Sequence, residues 1–125
     1  MADNYTIEEQ SILVSTKHKL GTVAQYEHFD HDILVEINAA LTVLFQVGAG
    51  GKSFRINSGD ETWDDLKQAV GYKNDEIVEL VKDYVYLSTK LVFDPPESSA
   101  HIEALRNRKD ELEWRIFYFE DEWPT

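Results

Sequence analysis

Several stretches of this chain carry residue types that could do chemistry. Gly50-Gly51-Lys52-Ser53 resembles the end of a phosphate-cradling loop, where backbone N–H groups and a lysine hold phosphate oxygens. The complete pattern needs a glycine five residues before Gly51, where Gln46 stands, and it must follow a strand and open a helix. Here it follows a helical pattern and opens an extended one, so it is read as a glycine loop after a helix stop. His28 and His31, with Asp30 and Asp32, crowd nitrogen and oxygen donors at one helix start. Zinc requires about four well-placed ligands, or three when catalytic, and His28 lies outside the helix that would fix its distance to His31. Helix capping with exposed histidines is expected there, and no metal. The acidic runs Glu8-Glu9, Asp64-Asp65, Asp75-Glu76 and Glu120-Asp121-Glu122 mostly fall in first helical turns, where negative charge suits the helix dipole. None adjoins an obvious nucleophile. No catalytic residue and no cofactor is assigned, and the chain is expected not to be an enzyme.

Two further clusters lie near the C-terminus. Arg106, Arg108, Lys109 and Arg115 are the densest basic group, and each has an acid at helical spacing: Arg106 with Asp110, Arg108 with Glu111, Lys109 with Glu113, and Arg115 with Glu111. Exposed pairs of this kind contribute roughly 0.2–0.5 kcal/mol each. A self-neutralised helix face is therefore expected, not a nucleic-acid site. The aromatics Trp114, Phe117, Tyr118, Phe119 and Trp123 form the second cluster. Consecutive helical residues step by about 100°, so one core face cannot hold 117, 118 and 119 together. Aromatic patches mark interfaces, which makes Phe117, Tyr118, Phe119 and Trp123 the candidate docking residues.

Composition bounds the scaffold. A chain of 125 residues, 42% hydrophobic and 29% charged, has the mix of one globular domain that can close a modest core. It has no cysteine, hence no disulfide framework. Met1-Ala2-Asp3-Asn4 shows no basic region before an apolar run, so no signal peptide is expected, and no apolar run is long enough to span a bilayer. A soluble intracellular protein is the expectation. The net charge of −12 repels nucleic-acid phosphates and anionic lipid, which argues against DNA binding by charge neutralisation but not against a passive wall beside DNA; no sequence-specific nucleic acid and no membrane is expected as a partner.

The elements that position these residues follow from apolar spacing. Residues 76–92 and a helix starting near 98 or 99 carry facing stripes: Ile77, Leu80, Val81, Tyr84, Leu87 and Leu91, then Ile102, Leu105, Leu112, Ile116 and Phe119. Pro95 ends the first, and Ser98 or Ser99 caps the second. So short a connection implies a long antiparallel helical hairpin. Earlier in the chain, Thr6 with Glu9 fits a capping box for a helix over 7–20, with Gly21 as its left-handed stop. Asp30 caps a helix over 31–47, the most apolar segment, through Ile33, Leu34, Ile37, Leu41, Leu44 and Phe45. Thr62 with Asp65 caps a short helix ended by Gly71, and Asn74 or Asp75 caps the next. Residues 53–57 alternate like a strand without a partner in the domain; Phe54, Arg55, Ile56 and Asn57 are therefore candidate inter-subunit contacts. The expected fold is an all-α five-helix bundle with one extended loop or short strand. It forms a single domain, with 48–60 as a protruding loop and 117–125 as a docking tail.

Gln10-Ser11-Ile12-Leu13, Phe29-Asp30, Tyr86-Leu87, and the run Leu91-Val92-Phe93-Asp94-Pro95-Pro96 are similar to segments of small virion proteins of tailed bacteriophages. Ser98-Ser99-Ala100 and Glu111-Leu112-Glu113-Trp114-Arg115-Ile116 extend the likeness, which covers residues 9–116 and resembles the head-to-tail adaptor, or connector, family. The resemblance implies a virion protein of the neck, made in the host bacterial cytoplasm. It further implies a homo-oligomeric ring, commonly twelve-fold, seated below the portal protein and above a stopper or tail-completion protein, extending the DNA channel. On that reading Asp64, Asp65, Asp75 and Glu76 are candidates to line the channel. The competing class is a small acidic DNA-mimic inhibitor that blocks a nucleic-acid enzyme.

Overall fold

The computed structural model describes residues 7–21, 26–46 and 53–122, with side chains over 9–21, 26–46 and 53–118. In order run α1 (Ile7–Gln10), α2 (Ile12–Leu20), a 3-10 turn (Glu27–Phe29), α3 (Asp30–Gln46), α4 (Trp63–Val70), α5 (Asp75–Phe93) and α6 (Ser99–Glu122). Ser11 alone parts α1 from α2, so the helices group into five segments, and no strand occurs among the described residues. The fold class is all-α, as the spacing of apolar residues indicated.

The core forms around α5, against which α2, α3, α4 and α6 all pack. Its Ile77, Val81, Tyr84 and Val85 recur at helical spacing and are buried. Facing them are Ile33, Ile37, Leu41 and Leu44 from α3, and Leu66 and Val70 from α4. Ile12 and Leu20 from α2, with Leu112 and Ile116 from α6, complete the core. Each such side chain contributes about 1.5–3 kcal/mol by leaving water. Tyr84 is the polar member. Its hydroxyl donates to Glu113 on α6 at 2.9 Å, and the Lys109 ammonium lies 5.7 Å from its ring centre. Burial, then the Glu113 carboxylate, push the phenol well above its ordinary pKa, so it remains a donor.

Helix ends follow their local sequence closely. The Asp65 N–H donates to the Thr62 hydroxyl at 3.0 Å while the Thr62 N–H donates to Asp65 at 2.9 Å, a closed capping box. Asn74 accepts from the Ile77 N–H, and Ser98 from the His101 N–H, each at 3.0 Å. Gly71 ends α4 at φ 89°, ψ 27°, a left-handed conformation that glycine adopts without a Cβ clash.

Three starts and stops differ from expectation. Gly21 has φ 105° but ψ −168°, so it leaves α2 through extended glycine backbone instead of a left-handed helical cap. Asp30 does not cap α3: its φ of −58° and ψ of −42° are helical, and its carboxylate meets Lys17 of α2. The helix over 7–20 is broken at Ser11, whose hydroxyl accepts from the Val14 N–H at 3.1 Å and donates to the Gly59 carbonyl at 2.8 Å. The break is held both by this local cap and by the tertiary bond to Gly59. Thr6 lies outside the described residues.

Candidate docking surface

Two surface stretches were candidate contacts, residues 54–57 with a neighbouring subunit and residues 117–123 with a docking partner, and they are built differently. In the connection from 53 to 62, Ile56 is buried, and both of its backbone groups go to one side chain of α3. The Ile56 N–H donates to Asn38 Oδ1 at 2.8 Å, and Asn38 Nδ2 donates to the Ile56 carbonyl at 2.9 Å. Asn38 thus stands in for a neighbouring strand. Glu61 secures the next turn, accepting from the N–H groups of Asn57 at 2.8 Å and Ser58 at 3.1 Å. Burial raises the Glu61 pKa, but these donors outweigh it and hold the carboxyl below its ordinary value. The expectation that the extended stretch has no partner within the domain is therefore corrected. Phe54 packs partly against the core, while Arg55 and Asn57 are exposed.

The last third of α6 is the opposite case. Leu112 and Ile116 turn inward, and Trp114, Phe117 and Tyr118 are 61%, 43% and 49% exposed. Trp114 and Tyr118 sit one turn apart with their rings stacked at 5.1 Å and 11°. Sequence reasoning placed Phe117 and Tyr118 here but left Trp114 out of the docking set. The spacing 114, 117, 118 was the available signal, since i, i+3 and i+4 share a helix face. Trp123 and the side chain of Phe119 lie outside the described residues. The anticipated ion pairs along α6 do not close within 4 Å among the described residues. Glu113 and Lys109 turn to Tyr84 instead, and Arg106, Arg108 and Arg115 are exposed.

Asp64 and Asp65 in the first turn of α4, and Asp75 and Glu76 in the first turn of α5, are all exposed. They are not equivalent. Asp65 is engaged in its capping box, and Asp75 is 2.9 Å from the Lys67 ammonium. Asp64 and Asp75 share a cleft of about 410 Å³ with Trp63, Lys67 and Lys82, so the local charge is mixed. Among the described residues no group of three or more His, Asp or Glu side chains gathers to hold a metal. His28 rests on the Phe29 ring at 4.1 Å, and His31 is exposed. Gly50-Gly51-Lys52 lies outside the described residues. No helix among them is long and apolar enough to cross a membrane.

The arrangement offers packing and charge, with no reactive constellation among the described residues. A family model described as phage connector protein matches residues 12–122. No curated protein and no solved structure matches the chain.

Proposed function

The chain belongs to the phage connector protein family, and from that premise we propose that it is a non-enzymatic structural subunit of a ring between the portal and the stopper or tail-completion protein. The ring, twelve-fold in this reading, extends the DNA channel of the virion neck. One observation carries the proposal: three large aromatics stand exposed on the face of α6 opposite its buried Leu112 and Ile116. Such a face is complete only when something covers it. Phe117 and Tyr118, continued by Phe119 and Trp123, are assigned to the portal. α5 and α6 form the antiparallel hairpin on which a single-domain bundle is built. In the loop over 48–60, contact with a neighbouring subunit falls to the exposed Arg55 and Asn57, because Ile56 faces its own core. Asp64 and Glu76, exposed and acidic, suit a channel wall that DNA must not adhere to.

The DNA-mimic reading rests on the net charge of −12. It is less well supported, because Asp65, Asp75, Glu79, Asp83 and Asp94 are engaged in a cap or in lysine pairs instead of forming an open acidic row. Native mass measurement of the full chain mixed with its portal separates the two readings. A multi-subunit assembly on the portal is expected. A monomer that leaves the portal alone and inhibits a nuclease would establish the mimic.

A further inference from the structure

Among the described residues the exposed large hydrophobic side chains fall into two groups. Trp114, Phe117 and Tyr118 lie on α6, and Val35 (46%) and Val92 (61%), with Tyr26 nearby in the chain before α3, lie on the α3 and α5 side. Val35 and Val92 line a shallow cavity of about 320 Å³ together with Asp32, Glu36 and Phe93, large enough to admit an indole ring. The charges on the two faces are opposite. Arg115 lies between the stacked Trp114 and Tyr118 in the chain and Arg108 about two turns before Trp114, the exposed Glu111 standing one turn from each arginine; neither arginine closes an ion pair within 4 Å among the described residues. Asp32 and Glu36 at the cavity likewise have no ion pair there.

Among the described residues most lysines, but not Lys73 or Lys109, are used in ion pairs within the chain. Lys17, Lys19, Lys67, Lys82 and Lys90 each pair with a carboxylate of the same chain. The arginines, Arg55, Arg106, Arg108 and Arg115, do not. Guanidinium is the group suited to planar, two-point carboxylate pairing across interfaces. The two faces cannot meet within one copy. Glu113, beside Trp114, is bonded to Tyr84, whereas Val92 lies about 12 Å farther along α5.

We infer that Trp114 of one copy seats in the Val35–Val92 cavity of the next copy, with Arg108 and Arg115 set against Asp32 and Glu36. The inference rests on the ring reading and deepens it. The contact joins two different faces, so it repeats head to tail and closes into a ring when the rotation permits. It also explains how subunits of charge −12 tolerate adjacency: the local contact is oppositely charged even though the net charges repel.

The absence of cysteine makes the test direct. Full-length Val35→Cys and Glu111→Cys proteins are mixed, assembled and oxidised. The position pair Val35→Cys with Gln68→Cys, on exposed α4, serves as control. A 35–111 disulfide well above the control, with few 35–35 or 111–111 links, is expected. Arg115→Glu should weaken assembly by roughly tenfold or more, and Glu36→Arg in the same chain should restore it. Assemblies that form with no 35–111 excess overturn this interface and leave the ring standing. A mass that stays monomeric at every concentration and on portal overturns the interface and the ring together.

Discussion

The connection from 53 to 62 and the last third of α6 looked alike in sequence: apolar side chains with no evident place in the core. The structure separates them. Ile56 is buried and held through both backbone groups by Asn38, while Trp114 is 61% exposed on a helix already anchored by Leu112 and Ile116. An extended segment must satisfy its own backbone, so burying it requires a specific polar partner. A helix satisfies its backbone internally and can leave a second apolar face open. The surplus face is therefore the better guide to assembly.

The largest expected effect lies beneath the α6 face. Leu112→Ala should cost about 2–5 kcal/mol, measured by denaturant unfolding, because it empties a buried site between α5 and α6. A loss under about 0.5 kcal/mol would mean that the two helices do not share a core there. Asn38→Ala should cost about 3 kcal/mol, since it strands a buried N–H and a buried carbonyl at Ile56. A near-neutral result would return the 53–57 stretch to the status of a free arm.

Smaller effects sharpen the contrast. Glu61→Gln should lower stability by about 1 kcal/mol or less. Its folded pKa is depressed, so the contribution is present above the ordinary glutamate pKa and fades as pH falls through the folded value. Acid titration of wild type and variant should therefore converge at low pH; parallel curves would remove Glu61 as the latch. Trp114→Ala should change stability by less than about 0.5 kcal/mol yet weaken assembly, a split that a core residue would not show. Deleting residues 117–125 should leave a folded helical domain that no longer binds portal. Failure to fold would place those aromatics in the core.

What the sequence made legible was local and periodic. The capping box at Thr62, the caps at Asn74 and Ser98, the helix stop at Gly71 and the apolar stripes of α3 and α5 all depend on neighbours within a turn or two. What it hid was long-range. Ser11, at a helix break, reaches Gly59, Asn38 reaches Ile56 across 18 residues, and Glu113 leaves its expected lysine for Tyr84. Each is a polar side chain choosing between a near partner and a distant one. Spacing fixes the near option alone. The candidate surface was different: the consecutive run 117–119 drew attention to Phe117 and Tyr118, although the spacing 114, 117, 118 already put Trp114 on the same helix face.

Hydrogen exchange on the full chain, free and assembled on portal, tests this account most directly. The Ile56 amide should exchange slowly in both states, because its partner is internal, and added protection on assembly should concentrate in the C-terminal half of α6. Fast exchange at Ile56 in the free chain, becoming slow on assembly while α6 is unchanged, would contradict it.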